Sequence, residues 1–207
     1  MEEIKKALSF LSPDLVSEII SVSQVRDFPK NTEILKEGQY VKVIPIVIEG
    51  LIKVFSSFEE KELLLYYIKP NESCIMSFAS SIRNEPSKVY AVTEEDSTIL
   101  LLPVDKVSNW VKQFPSINDL FYQQYNLRYS ELLDTISHVL FNKMDTRLYD
   151  YLKRKTQLTK QNPIKISHRQ IASELGTARE VISRVMKKLE NEGRVKQYTN
   201  TIKIIEW

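Results

Sequence analysis

Arg179, Glu180 and Arg184 are charged residues in a segment whose spacing predicts a helix. An arginine guanidinium can donate two hydrogen bonds to guanine in the major groove, and a glutamate carboxylate can accept one from the cytosine amino group. Arg179 and Arg184 lie five positions apart, so both cannot point the same way. One can read a base while the other holds a phosphate. The set therefore predicts direct reading of duplex DNA.

A short helix is predicted just before this segment. Ser167 can cap it, with Gln170 three positions later completing a capping box. Ile171 and Leu175 fall on one face of the helix. Gly176 follows, in the place where a helix end needs a left-handed residue.

The second helix is predicted to start near Ala178 and to end at Gly193. Thr177 can cap it, with Glu180 three residues later as a second capping box. Its inward positions are apolar: Ile182, Val185, Met186 and Leu189. Two helices joined by a glycine turn are typical of a helix-turn-helix, whose second helix enters the major groove with its first turn.

Further polar residues complete the predicted DNA-binding set. Those best interpreted as phosphate contacts, which position the protein without specifying sequence, are His168, Arg169, Lys187 and Lys188. The others are Thr177, Ser183 and Gln170. After Gly193, segments 194–199 and 201–207 are predicted strands joined at Asn200, forming a β-hairpin wing that carries Arg194, Lys196 and Lys203.

The charge of the 207-residue chain is divided unevenly. Residues 142–207 hold 15 basic and 7 acidic side chains, a balance of +8, so residues 1–141, with 14 and 20, carry −6. A basic module attached to an acidic one places its field where phosphates would lie. The alternative is that the lysines form a solvated surface and the two helices an ordinary charged helical pair.

A β-rich region extends from about Val25 to Pro103. Its short runs, separated by turn residues, predict an antiparallel barrel or sandwich. The predicted strands are 33–35, 41–48, 51–55, 63–68, 89–92 and 98–102. The run 51–55 alternates around Lys53, as a half-buried strand should. Before this region, apolar residues at helical spacing predict two short helices, the second beginning at Pro13.

A long helix is predicted from about Asn118 to Asn142. Its apolar residues are spaced 3, 4, 3, 4 and 3 apart and form a heptad seam: Tyr122, Tyr125, Tyr129, Leu132, Ile136 and Val139. A seam of this length favours a helix partner and hence a symmetric homodimer. The alternative is a helix that packs on its own domain's sheet. Another helix is predicted over 145–158.

The chain resembles the Crp/Fnr family of bacterial regulators. The motif Arg-Glu-x-x-x-Arg of the family's recognition helix matches residues 179–184, and Glu37-Gly38 and Gly50 keep the spacing of its turn glycines. The resemblance implies an α+β fold: a cyclic-nucleotide-binding-like β-barrel or jelly roll (1–115), a dimerisation helix (116–142) and a winged helix-turn-helix (143–207). It also implies that Arg179, Glu180 and Arg184 read bases of an inverted-repeat operator in double-stranded DNA, and that Arg169 and Gln170 contact phosphates.

The predicted effector site departs from the members that bind cyclic AMP. Those hold the phosphate with Gly-Glu, a short helix and Arg-Ser. Here the first region reads Ser73-Cys74-Ile75-Met76-Ser77-Phe78, and Glu85-Pro86 falls near the second. Arg83 could substitute only with a register shift, and Leu132-Leu133 replaces the Thr-Ser that meets the purine. We therefore expect that cyclic AMP is not the effector.

Other cofactors find no support in the sequence. Cys74 is the only cysteine, which excludes a four-cysteine iron–sulfur site. It is expected to be a small buried residue rather than a redox-sensitive thiol. Neither His138, on the dimer helix, nor His168 is well placed to ligate haem. We predict no metal site and no catalytic constellation, so the protein is not expected to be an enzyme.

The sequence also bears on location and on a competing function. No signal peptide or membrane span is recognisable, so a cytoplasmic protein is expected. Activation would need a contact with RNA polymerase, for which no motif is readable. The competing hypothesis is a small-molecule receptor whose winged helix is a protein-docking surface, and the +8 balance of its last 66 residues argues against it.

Overall fold

The computed structural model describes residues 2–58, 61–141 and 143–205, with the backbone alone for residues 3, 61 and 137–141. The helices are α1 (Glu2–Ala7), α2 (Pro13–Val22), α3 (Ile75–Arg83), α4 (Val104–Gln113), α5 (Pro115–Phe141), α6 (Met144–Thr159), α7 (His168–Glu174) and α8 (Arg179–Asn191). The strands are β1 (Gln24–Phe28), β2 (Glu33–Leu35), β3 (Val43–Glu49), β4 (Ile52–Phe58), β5 (Lys61–Ile68), β6 (Tyr90–Thr93), β7 (Ser97–Pro103), β8 (Val195–Gln197) and β9 (Ile202–Ile204).

The chain divides into two compact units. The first contains residues 1–56 and 65–132, and the second contains 57–64 and 133–207. Each unit has hydrophobic residues gathered into its own core.

Two antiparallel sheets form the body of the first unit. One has the strand order β1-β7-β3 and the other β2-β6-β4-β5. One cluster of buried residues lies between the sheets around Val47, Val54 and Ile99, and a second joins β3 and β7 to the helices around Leu15 and Trp110. The fold class expected from the sequence, an antiparallel β domain followed by a long helix and a helix-turn-helix, is therefore confirmed.

The second unit is built around α6, α7 and α8. Leu148 and Leu152 of α6 pack with Ile171 of α7 and with Ile182 and Met186 of α8, all fully buried. Strands β8 and β9 pair antiparallel, with Val195 opposite Ile204, and close the core from the other side. The predicted wing is present but shorter than expected from the sequence.

The sequence analysis did not predict β1, α3 or α4, and neither α3 nor α4 has a side-chain cap that would mark its start. The prediction for Lys53 was also wrong. It was expected on the solvent face of its strand, but it is 5% exposed and its ammonium lies 2.8 Å from a carboxylate oxygen of Glu94. A buried lysine of this kind requires a charge partner, and Glu94 is far away in sequence.

Candidate nucleic-acid interface

The Ser167 cap and the glycine end of helix α7 form as the sequence predicts, but the Gln170 side chain bonds Glu174 instead of completing the capping box. The Ser167 hydroxyl accepts a hydrogen bond from the backbone N–H of Gln170 at 3.1 Å. The chain leaves the helix through Gly176, which has φ of +63°. The Leu175 carbonyl, left without a helical donor, accepts from the Arg147 guanidinium at 2.9 Å. Helix α7 is thus held by a side-chain cap at its start and by an arginine at its end.

The N-cap of helix α8 lies one residue later than the sequence predicts. Its N-cap is Ala178 rather than Thr177, and no side chain caps it. The Thr177 N–H instead donates to the Ala172 carbonyl, which completes the end of α7. The start near Ala178 is confirmed, whereas the second capping box is not formed. Glu180 still places an acidic group in the first turn, where the helix dipole favours it.

The three proposed base-reading residues lie on the exposed surface of α8. Arg179, Glu180 and Arg184 are all exposed, while Ile182 between them is fully buried. Among the described residues, none of the three side chains makes a hydrogen bond or an ion pair. Their hydrogen-bonding groups are therefore available to another molecule that binds this face of α8.

The proposed phosphate contacts differ in their surroundings. Arg169 and Lys187 are exposed. Lys188 is also exposed, but its ammonium pairs with Asp145 at the start of α6 and lies 3.7 Å from Glu192. The hydrogen bond with Asp145 raises the pKa of Lys188 and lowers that of Asp145. Lys188 must therefore give up a partner to hold a phosphate.

Gln170 belongs to a buried polar network that sequence reasoning missed. Its side-chain amide donates to Glu174 at 3.0 Å. The same carboxylate accepts from the Tyr151 hydroxyl at 2.5 Å and lies 3.3 Å from the Lys155 ammonium. Glu174 and Lys155 are each 3% exposed. The network ties α6 to α7 and so fixes the base of the helix-turn-helix.

His168 lies among protein groups rather than in open solvent. Its Nδ1 is 3.0 Å from the Ser183 hydroxyl on α8, and its Nε2 is 3.0 Å from Oε1 of Gln197 on β8. Gln197 in turn donates to the Glu190 carboxylate from both its backbone N–H and its side chain, each at 2.7 Å. Two proposed DNA contacts, His168 and Ser183, are thus bonded to one another.

The wing is anchored by Arg194, one of the three basic residues that the sequence analysis placed on it. The Arg194 guanidinium stacks 3.6 Å from the ring centre of Tyr149 on α6. The Arg194 carbonyl accepts from the backbone N–H of Ile205. Lys196 and Lys203 are exposed. The stacked guanidinium gives Arg194 a structural role whether or not it also meets DNA.

The proposed effector-site residues are only partly gathered together, and Leu133 belongs to the second unit rather than to the first. Ser73, Cys74, Ile75 and Ser77 are buried around the start of α3, Met76 is partly buried, and Arg83, Leu132 and Leu133 are exposed. Cys74 is 1% exposed, which confirms the expectation of a small buried residue. A cavity of about 240 Å³ is lined by Cys74 and Ser77 together with residues of both sheets.

A charged cluster, missed by sequence reasoning, joins β5 and α5 within the first unit. The Arg128 guanidinium donates to Glu72, to Glu131 and to the Tyr67 carbonyl, and lies 4.7 Å from the Tyr66 ring centre. Burial opposes its charge, but Glu72 and Glu131 outweigh burial and raise the Arg128 pKa. Burial also raises the pKa of Tyr66 well above its ordinary value.

The predicted seam of α5 is a row of exposed apolar side chains. Tyr122, Tyr125, Tyr129, Leu132 and Ile136 are between 44% and 69% exposed. Tyr125 and Tyr129 stack with ring centres 6.4 Å apart. The side chains of His138 and Val139 lie outside the described part of the structure. A contiguous apolar row of this length marks an interaction surface.

No metal site or membrane span is found in the parts of the chain that the structure describes. No group of three or more His, Cys, Asp or Glu side chains is arranged to hold a metal ion among those residues. None of the described helices combines the length and apolarity needed to cross a membrane.

These observations define a class of protein: a two-sheet domain followed by a winged helix-turn-helix with an exposed basic recognition helix. Two family models match in this order, the cyclic nucleotide-binding domain over residues 25–114 and the Crp-like helix-turn-helix domain over 146–207. The chain belongs to the Crp/Fnr family and is a DNA-binding transcription regulator.

Relatives of known sequence or structure cover nearly the whole chain. The cyclic AMP receptor protein of Thermus thermophilus is 25% identical over 200 residues, or 95% of this chain and 90% of its own. A solved structure classed as a Crp/Fnr-family transcriptional regulator, from Eubacterium rectale, matches with a TM-score of 0.86 at 23% identity over 96% and 92% of the chains. The c-di-GMP-responsive regulator CLP of Xanthomonas campestris matches with a TM-score of 0.83 at 17% identity. The match covers 95% of this chain and 100% of that one.

Proposed function

We propose that the protein is a homodimeric regulator that binds an inverted-repeat operator, with Arg179, Glu180 and Arg184 of each subunit reading bases. The observation that carries this proposal is that all three side chains are exposed and have no partner among the described residues, on a unit whose residues 142–207 sum to +8. Arg169 and Lys187, also exposed, are proposed as phosphate contacts.

The proposal is tested by selecting duplexes from a random library with the full-length protein and measuring their affinity by electrophoretic shift. We expect an inverted repeat. Arg179→Ala and Arg184→Ala should each weaken binding by about 1–3 kcal/mol, the contribution of a bidentate base contact. Lys106→Ala, which removes one exposed charge from α4 of the first unit, is the matched control. Parental affinity in both arginine variants would refute the base-reading assignment.

Failure to bind any duplex, even at low salt, would instead favour the protein-docking function of the winged helix. Binding should weaken steeply as salt rises, because neutralised phosphates release counterions. A winged helix that docks only on proteins would show no salt-dependent binding to DNA.

Dimerisation is proposed to use α5 (Pro115–Phe141), where the sequence predicts a dimerisation helix over 116–142. Its exposed tyrosines and aliphatic residues would be covered by the same row of a second copy, as two-fold symmetry requires. Tyr129→Glu and Ile136→Glu should convert the dimer to a monomer in sedimentation velocity, while Lys106→Glu, at an exposed position of α4, should not. A monomeric parent would overturn the proposal.

We infer that the sensor domain does not take cyclic AMP. The Arg128 cluster already pairs its guanidinium with two carboxylates, and Arg83, the proposed replacement for the phosphate-binding arginine, is exposed at the end of α3. The 240 Å³ cavity is below the roughly 300–1,000 Å³ of ordinary small-molecule sites. Calorimetric titration of the full-length protein with cyclic AMP should show no saturable heat. Micromolar binding would contradict this inference.

The protein is proposed to act in the cytoplasm and without catalysis. A regulator must reach the chromosome, and within each unit buried charged side chains are held in ion pairs rather than facing a substrate.

A further inference from the structure

The hydrogen bonds around His168 have a fixed direction. An ionised carboxylate can only accept hydrogen bonds, and the hydrogen bonds from the backbone N–H and side chain of Gln197 lower the pKa of Glu190 and so favour its ionised form. The Gln197 side chain must therefore turn its NH₂ group toward Glu190, 2.7 Å away, and its Oε1 toward His168.

The same reasoning fixes the donors and acceptors of the hydrogen bonds that join the His168 imidazole to the recognition helix. Because Gln197 Oε1 can only accept, the Nε2 of His168 must carry the proton. A neutral ring then has a bare lone pair at Nδ1. The Ser183 hydroxyl, 3.0 Å away, must donate to that lone pair.

We propose that His168 is a positioning residue that makes Ser183 a hydrogen-bond acceptor on the DNA-facing surface of α8. The only proton of the Ser183 hydroxyl is used inward, so its outward lone pairs can accept from the exocyclic amino group of adenine or cytosine. The Ser183 hydroxyl then has no proton left to donate to a phosphate or to guanine. The inference rests on the proposed DNA-binding function and assigns specificity to two residues that were both expected to contact DNA.

The neighbours of Ser183 make this character useful. Glu180 lies one helical turn before it and is also an acceptor, whereas Arg179 and Arg184 are donors. The recognition surface thus has a pair of acceptors flanked by donors. Such a surface matches amino groups beside guanines. The hydrogen bonds that link Ser183, His168, Gln197 and Glu190 in this order also fix the wing against α8.

The tautomer is measured by long-range ¹H–¹⁵N spectroscopy of the full-length protein in alkaline buffer. The chain has two histidines, so a His138→Gln variant leaves the His168 ring as the only signal. We expect a protonated Nε2 and a bare Nδ1. Glu190→Gln, whose amide can donate or accept, should produce a mixture of tautomers, whereas Lys165→Met, an exposed site nearby, should not. A protonated Nδ1, or a mixture in the parent, would overturn the proposal.

The consequence for specificity is measured by duplex selection. His168→Phe keeps a ring but frees the Ser183 proton, so one position of the selected half-site should change from an amino-bearing base to a base with acceptors. Ser183→Ala should lose preference at the same position, and Ser183→Thr should keep it. Unchanged selection in His168→Phe refutes the assignment. Failure of the parent to select any duplex refutes the DNA-binding function but leaves the tautomer result standing.

Discussion

Arg128 and Arg184 are both helical arginines near glutamates, yet their surroundings are opposite. Arg128 is 5% exposed and donates to two carboxylates and a carbonyl. Arg184 is exposed and has no partner among the described residues. The sensor unit uses its arginine to hold β5 against α5, and the recognition helix keeps its arginine available. Charge that is already satisfied serves stability, whereas charge left in water is available for a partner.

The comparison is tested most severely by removing Arg128. Arg128→Met leaves Glu72 and Glu131 without their buried counter-charge, and the loss should be about 3–5 kcal/mol of unfolding free energy. Urea unfolding can be followed through Trp110, which is fully buried in the first unit, in a Trp207→Phe background.

The matched control is Arg83→Met, which removes an exposed arginine from α3 of the same unit and should cost little. An equal loss in both variants would show that the Arg128 cluster is not a special stabiliser.

The second test separates base contacts from phosphate contacts on α8. Arg184→Ala should cost about 1–3 kcal/mol and relax specificity at one base pair. Lys187→Ala, one turn from Ser183, should weaken all sequences alike and reduce the salt slope by about one. Neither should change unfolding free energy by more than about 0.5 kcal/mol, because both side chains are exposed. Equal loss of specificity in the two variants would remove the distinction.

Local signals explain why the recognition elements could be predicted from the sequence. The Ser167 cap, the left-handed Gly176 and the burial pattern of α8 all depend on residues within a few positions of one another. The second capping box failed for a local reason too, since Thr177 completes the end of α7 instead of starting α8.

Long-range pairing explains what the sequence could not predict. Arg128 meets a glutamate 56 positions away, and His168 meets a glutamine 29 positions away. Spacing along one helix says which residues share a face, but it does not say which distant side chain covers that face. Lys53 was therefore placed in solvent, and His168 was assigned to a phosphate, although both have partners within the protein.

A smaller effect is expected at the cap of α7. Ser167→Ala removes the acceptor for the Gln170 N–H and should destabilise the helix by about 1 kcal/mol. Amide hydrogen exchange across α7 measures this as faster opening. Ser108→Ala on α4, where the hydroxyl bonds only to the preceding turn, is the comparison variant and should leave α7 unchanged. Equal protection of α7 in parent and Ser167→Ala would contradict the capping role.

The smallest effect is expected at the ion pair of Lys188 and Asp145. Lys188 is exposed, as Arg184 is, but it has a carboxylate partner, as Arg128 does. The Lys188 hydrogen bond lowers the Asp145 pKa below its value in the unfolded chain. The resulting stability is present above the unfolded pKa and is lost as pH falls through the folded pKa. Asp145→Asn should therefore flatten the acid limb of unfolding free energy against pH.

The same variant also releases Lys188 on the DNA-facing unit. If Lys188 holds a phosphate, Asp145→Asn should tighten binding to the selected operator at low salt. In this variant Lys188 can bind a phosphate without first breaking its ion pair with Asp145. Asp150→Asn on the same helix removes one charge elsewhere and controls for net charge. Tighter binding in both variants would mean that only the field of the unit changed, and Lys188 would then be a structural residue like Arg128.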